Sequence, residues 1–320
     1  MARTVTVADI GSTHARFALA RLAPGAPPAL SHVTTLATHE HSGLEDAFAR
    51  FAASLGAPLP GEAALALAAP LPRNGTPVRL TNAPWTIDPQ ALPDRLGVTR
   101  LKLLNDLESL AHAVAIARPA DFASICGPRA PLPAQGVISI IAPGTGLGVA
   151  MLLRRDGKTH VIPTEAGHIG FSPTDGLEDT LLAAMRRSLS GRVSAERLIG
   201  GPGLAAVHLA MGGAPAADEK SLWTEILAAD SREAEATLER YLGLLGSFAG
   251  DIALAQGASA IVIAGMLGQR LGERLNHPAF ARRLLGKGRL SSHLASLPVS
   301  RLLLANPGLL GAAAAAASEA

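Results

Sequence analysis

One cysteine, Cys126, among 320 residues leaves no partner for an intramolecular disulfide and fits a reducing compartment. Its Ala-Ser-Ile-Cys-Gly setting reads as inert packing rather than as the setting of a nucleophile. Net charge is scarce too, since 28 Lys and Arg against 26 Asp and Glu give a formal +2. Only Arg186-Arg187 and Arg282-Arg283 with Lys287 and Arg289 are locally basic, and no aromatics interleave them, which argues against a nucleic-acid surface. The opening Met-Ala-Arg-Thr-Val runs straight into a strand pattern and lacks signal-peptide architecture. Residues 130–153 carry no charge over a membrane-helix length. Pro131, Pro133, Pro143 and several glycines interrupt them, so they read as two buried strands around a turn. A soluble, cytoplasmic protein without nucleic-acid or membrane partners is expected.

Apolar residues are plentiful. At 48% of the chain they supply a large core, and the length suits two domains of ordinary size. Strand patterns fall near 4–9, 16–21 and 33–37, then a helix near 43–55 with Leu44, Phe48, Phe51, Ala52 and Leu55 on one face. Ala63–Ala69 reads as a buried strand, Leu101–Leu104 as a short one, and 106–117 as a helix. The second half repeats the order. Strands near 137–142, 149–154 and 159–163 precede several helices between 177 and 256. Strand Ala260–Ala264 and a helix follow, and Val299–Leu304 leads into a final helix. Alternating elements predict α/β layers, weakly duplicated in element order and not in residue identity.

Two glycine turns carry most of the chemistry. Asp9-Ile10-Gly11-Ser12-Thr13 and Pro143-Gly144-Thr145-Gly146-Leu147-Gly148 each lie between strand-like runs and pair glycine, which permits positive φ and close backbone approach, with a threonine hydroxyl. Consecutive turn N–H groups make a concave anion site suited to a polyphosphate. A strand rather than a helix follows each, so neither is the dinucleotide fingerprint. One turn in each half suggests a nucleotide gripped across a cleft. Asn105-Asp106 sits where a strand ends and a helix begins, a favourable ligand address in open α/β sheets. The plainer reading makes Asp106 the helix N-cap. Glu165-Ala166-Gly167-His168 suits sugar hydroxyls, with a metal or a solvated loop pair as alternatives. In Val193-Ser194-Ala195-Glu196-Arg197, Ser194 reads as an N-cap and Glu196 as first-turn surface charge. Asp9 could hold Mg²⁺ through water, or serve only in turn chemistry.

The order of these motifs is more specific than any one of them. Asp9-x-Gly-x-Thr-x-x-Arg16, Asn105-Asp106-x-Glu108, Pro143-Gly-Thr-Gly-x-Gly148, Glu165-x-Gly-His168, Ser194-Ala-Glu-Arg197 with Gly201-Pro-Gly203, and Asn306-Pro-Gly-Leu-Leu-Gly311 together resemble the bacterial glucokinase family, from about residue 4 to 312. The resemblance implies two related actin-like ATPase (ribonuclease H-like) α/β domains with an interdomain cleft. The small domain would take 1–106 plus 306–320 and the large one 107–305. It implies ATP-dependent phosphorylation of D-glucose, with Asp106 as general base at the 6-hydroxyl. Asn105, Glu165, His168 and Glu196 would bind hydroxyls. Gly11, Ser12, Thr13, Gly144, Thr145 and Gly146 would cradle phosphates. Asp9 would hold Mg²⁺, and Gly265-Met266 would meet adenosine. A homodimer follows from the family alone.

Three residues depart from the family pattern. Ser12 replaces the second glycine of Asp-x-Gly-Gly-Thr-Asn-x-Arg, and His14 replaces its asparagine. Met266 stands where a second adenosine-loop glycine is usual. The remaining alternatives are a related hexose or amino-sugar kinase with another donor or acceptor, and a sugar-binding regulator impaired in catalysis.

Overall fold

The computed structural model describes residues 1–72, 74–80, 83–189 and 191–318. The chain divides into two compact units: Met1–Ala117 with the segment from Leu304 onward, and Arg118–Leu303.

In the first unit, β1 (Arg3–Ile10), β2 (His14–Leu22) and β3 (Ala29–Ala37) form an antiparallel meander. α1 (Leu44–Leu55) buries Leu44, Ala47, Phe48 and Phe51 at helical spacing and ends on left-handed Gly56. β4 (Glu62–Leu67) then joins β1 in parallel. A small hairpin, β5 (Val78–Arg79) and β6 (Thr86–Ile87), and the short α2 (Leu92–Leu96) lead to β7 (Arg100–Asn105), parallel to β4, and to α3 (Asp106–Ile116). The sheet order is β3-β2-β1-β4-β7. One face carries the Phe17–Phe51 stack, with ring centroids 5.3 Å apart.

The C-terminal helix, Pro307–Ala317, packs its alanines against Val5, Val7, Ala18 and Ala64 on the sheet. Small side chains allow this close approach, and a Cβ on Gly311 would overlap the Ser109 backbone of α3. Arg3 and Lys102 satisfy its terminal carbonyls at Ala316 and Ala315, at 2.8 and 3.1 Å. Because α3 packs on this helix, the first unit runs to Ala117, past the boundary near Asp106 read from the sequence.

The second unit opens with β8 (Phe122–Cys126), a strand without a clear sequence signal. β9 (Gly136–Pro143), β10 (Leu147–Arg155) and β11 (Lys158–Thr164) form its meander. Five helices follow: α4 (Gly176–Ser188), α5 (Glu196–Ile199), α6 (Gly203–Ala210), α7 (Glu219–Ala228) and α8 (Arg232–Gln256). β12 (Ala258–Ile263) joins β9 in parallel. After α9 (Gly265–Leu271), α10 (Pro278–Leu285) and α11 (Ser291–Ala295), β13 (Val299–Leu302) joins β12 in parallel. The order β11-β10-β9-β12-β13-β8 repeats the first sheet over five strands and adds β8 at the edge. The duplication anticipated from element order is therefore a topological one.

Three helices of this unit are tied by a buried charge cluster. Glu178 of α4 is fully buried and meets Arg240 of α8 at 3.0 Å and Arg283 of α10 at 2.8 Å. The backbone N–H and hydroxyl of Thr174 also donate to it, at 2.8 and 3.0 Å. Among the described residues, no helix is long and apolar enough to cross a membrane.

Candidate active site

The first turn is fixed from both sides. Gly11 N–H donates to the His14 carbonyl at 2.9 Å, and Thr38 donates through its backbone to Thr13 O and through its hydroxyl to Gly11 O, each at 3.0 Å. Thr13 and His14 are exposed. Asp9, one strand residue before the turn, pairs with Arg16 across the β1–β2 ladder at 3.3 Å. Burial pushes the Asp9 carboxyl above its ordinary value, and Arg16 pulls the other way. Gly308, at the start of the C-terminal helix, has no side chain because Asp9 lies there: a Cβ would sit 2.5 Å from the Asp9 carboxylate carbon.

At the end of β7 the capping role belongs to Asn105, not to Asp106. The Asn105 side-chain oxygen accepts from Leu107 N–H at 2.9 Å and Glu108 N–H at 3.4 Å, and the Glu108 carboxylate returns to Asn105 N–H in a capping box. Asn105 Nδ2 donates to Ala69 O at 3.1 Å, which leaves one amide hydrogen for a ligand. Asp106 becomes the first helical residue, its Oδ1 accepting from Leu107 N–H at 2.9 Å.

In the second unit three predicted sugar-binding side chains come together. Residues 169–171 pair with 193–195 through Ala195 N–H to Ile169 O and Phe171 N–H to Val193 O, at 2.9 and 3.0 Å. Ser194 sits in this ladder and caps no helix; α5 has no side-chain cap. The ladder sets His168 between two carboxylates, Nε2 3.8 Å from Glu165 and Nδ1 3.7 Å from Glu196. Glu196 begins α5 as expected, but it is part-buried and partnered rather than a surface charge. Its other oxygen accepts from Leu147 N–H at 3.1 Å, and a Cβ on Gly146 would sit 2.6 Å from it. One carboxylate thus touches both the His168 cluster and the second glycine turn.

Of the two properties of glycine expected at these turns, positive φ and close approach, the structure uses close approach. None of Gly11, Gly144, Gly146 and Gly148 occupies the left-handed region. Gly167 is required in the same way, since a Cβ there would overlap the Leu147 carbonyl. Gly201 N–H donates to Gly144 O at 2.8 Å, and Trp223 and Tyr241 hold this segment from beneath through Gly201 O and Ile199 O, at 3.2 and 2.6 Å. Gly265 does need left-handed freedom: its φ is +74°, and a Cβ would lie 2.9 Å from Pro143 O. Met266 follows it, exposed, at the start of α9.

A sequence model of the glucokinase family matches residues 6–319. The chain belongs to that family. The glucokinase of Zymomonas mobilis subsp. mobilis is 44% identical over 320 residues, covering 98% of each chain. The crystal structure of glucokinase from an Antarctic psychrotroph superposes with a TM-score of 0.82 at 29% identity, over 98% of each chain. A ROK family glucokinase from Streptomyces griseus, solved in complex with glucose and AMPPNP, shares the fold at 18% identity with a TM-score of 0.65, over 99% of this chain and 100% of that one.

Within a glucokinase-family frame the three departures are structurally tolerated. Ser12 is not among the residues with positive φ, so the backbone there accepts a side chain. His14 is exposed at the start of β2. The left-handed position in the loop that opens α9 is Gly265, which is retained, so Met266 stands where glycine is not needed. Among the described residues, no group of three or more acidic, histidine or cysteine side chains could hold a metal alone. Asp9, one carboxylate beside a phosphate-type turn, fits an ion that keeps its waters and arrives with phosphate oxygens, as Mg²⁺ does.

Three side chains escaped sequence reading. Arg192 donates to His168 O and Thr38 pins the first turn, neither marked by a motif. Glu219 of α7 touches Gly201, whose motif offered the only hint. The setting of Cys126 fits inert packing: burial pushes its thiol up to about 11. Iodoacetamide at neutral pH is expected to leave activity unchanged, with mass spectrometry showing slow labelling of Cys126 in the folded protein. Rapid labelling would contradict its burial.

Proposed function

We infer that this chain is an ATP-dependent glucokinase, transferring the γ-phosphoryl group to the 6-hydroxyl of D-glucose. The observation that carries this is family membership over nearly the whole chain, joined to the Glu165–His168–Glu196 cluster built directly onto a glycine turn. We assign Asp106 as the general base that holds and accepts the 6-hydroxyl proton. Its place at the carboxyl end of β7, with capping delegated to Asn105, supports that role. Asn105 offers its remaining amide hydrogen to a hydroxyl. Glu165, His168 and Glu196 bind the rest of the ring, carboxylates accepting and the imidazole donating or accepting.

Phosphate would lie on the turns 11–13 and 144–146. In the second, Gly144 N–H is taken by Gly146 O and Leu147 N–H by Glu196, so Thr145 and Gly146 N–H would meet the anion. Asp9 would hold Mg²⁺ through water, and the ion would supply charge neutralisation for the phosphoryl oxygens. Positioning and electrostatics suffice for in-line transfer, with no covalent enzyme intermediate. The small unit, the large unit and a cytoplasmic homodimer acting in glycolysis complete the reading that family membership supports.

The test is ADP release from ATP·Mg²⁺ with D-glucose, set against mannose, fructose, N-acetylglucosamine and no sugar. Strong glucose-dependent turnover is expected, and none with any sugar would overturn the assignment. Glu196→Gln is expected to weaken glucose binding about tenfold, the scale of one hydrogen bond to a charged group. Unchanged affinity by sugar titration would return Glu196 to a structural role in the turn.

A further inference from the structure

Gly265 and Met266 are the candidate contacts for the nucleoside end of the nucleotide, and two helices begin beside the second glycine turn. Gly265 opens α9 against Pro143 O, and Glu219 opens α7 against Gly201, which itself donates to Gly144 O at 2.8 Å. A Cβ on Gly201 would overlap the Glu219 carboxylate, so that group lies over the Gly201–Gly144 contact rather than pointing away. The two helices are locked together. The Arg270 guanidinium of α9 lies 5.7 Å from the centroid of the buried Trp223 ring of α7 and donates to Lys220 O and Thr224 Oγ1, each at 3.4 Å. Glu219 also adds to the upward push that burial gives the Tyr241 phenol, in keeping with an inward carboxylate.

A carboxylate at this place is electrostatically wrong for phosphate, because like charges a few ångströms apart repel. It suits a neighbour that donates hydrogen bonds and carries no negative charge. One step along a nucleotide from its phosphates, that neighbour is the ribose, whose vicinal hydroxyls are a matched pair of donors for the two oxygens of one carboxylate. The base would then follow toward exposed Met266, an apolar and adaptable contact.

We propose that Glu219 accepts hydrogen bonds from the ribose hydroxyls of the nucleotide and so selects ribonucleotides as phosphoryl donors. The assignment rests on the reading of residues 144–146 as a phosphate cradle. Asp218 caps α7 through Ser221 N–H at 2.9 Å, so the helix start survives changes at exposed Glu219.

The experiment compares ATP with 2′-deoxy-ATP and 3′-deoxy-ATP as donors, and titrates AMPPNP directly by calorimetry, in wild type, Glu219→Gln and Glu219→Ala. Wild type is expected to favour ATP over the deoxy donors about tenfold, the scale of a hydrogen bond to a charged acceptor. In Glu219→Ala the preference collapses to about twofold, KM for ATP and the AMPPNP dissociation constant rise about tenfold, and KM for glucose stays unchanged. Glu219→Gln, which keeps one acceptor, falls between. Full ribose preference in Glu219→Ala would overturn the proposal. If wild type binds no AMPPNP at all, the phosphate-cradle reading itself fails, and the two failures are thereby told apart.

Discussion

Replacing Asp106 with asparagine is expected to cut glucose-dependent turnover by about 10²–10⁴-fold while glucose affinity stays within about tenfold. The substitution is nearly isosteric and removes only the charge and the proton-accepting oxygen. Local folding is protected because Asn105, not Asp106, caps α3 and closes the box with Glu108. The Leu107 N–H that Asp106 also accepts has a second acceptor in Asn105. The loss therefore reads the chemical step, at roughly 3–5 kcal/mol of transition-state stabilisation. The decisive measurements are kcat for ADP release and an independent glucose titration. Turnover within tenfold of wild type would place the base elsewhere, whereas a parallel collapse in glucose affinity would make Asp106 chiefly a binding group.

The largest effect on stability is expected at Glu178. It is wholly buried between Arg240 and Arg283, and Glu178→Ala leaves both guanidiniums with Asp175 as their remaining acidic neighbour. Breaking a buried charge cluster by removing one member costs about 3–5 kcal/mol, mostly from the charges left without a partner. Denaturant unfolding should show that loss in the second unit, and a change below about 1 kcal/mol would refute it. Replacing Glu178 and Arg283 together by methionine should cost less than the two single changes added.

The same cluster sets an acid limit. Burial alone would raise the Glu178 carboxyl, but the Arg283 guanidinium and Thr174 N–H outweigh it and hold the group below its ordinary value of 4.5. A carboxyl depressed in the fold contributes stability that is complete above that ordinary value. The contribution is lost as pH falls through the lower folded value. Acid unfolding of Glu178→Ala should therefore be shallower below pH 4.5 than that of wild type.

Much of the architecture was legible because strands and turns announce themselves locally. Thr4–Ala8 and Val137–Ala142 are apolar runs ending at glycine turns, and β1 and β9 lie there. What escaped was decided by contacts far along the chain. Asn105 and Asp106 are both good caps, and only the fold shows which sits one residue outside the helix. Ser194 was drawn into a ladder with Gly170 and lost the cap role its side chain suggests. Glu178 follows Asp175 at a helix start and looks like first-turn charge, while Arg240 and Arg283 stand 62 and 105 positions away. For the turn glycines, close approach was legible but the group that approaches was not. Their lack of a side chain makes room for Glu196, which no local pattern around Gly146 reveals.

The C-terminal helix ties Arg3 to Ala316, 313 positions apart, and supplies the cover for one face of the first sheet. Chains emerge from the ribosome amino end first, so the unit begun earliest must wait for the last residues before its core can close. The intervening unit, contiguous in sequence, can mature while the first remains open. Because Gly308 abuts Asp9, the first glycine turn shares that delay. A prematurely terminated product would leave the β1–β4 sheet with an uncovered apolar face, marking it for quality-control proteolysis rather than for work.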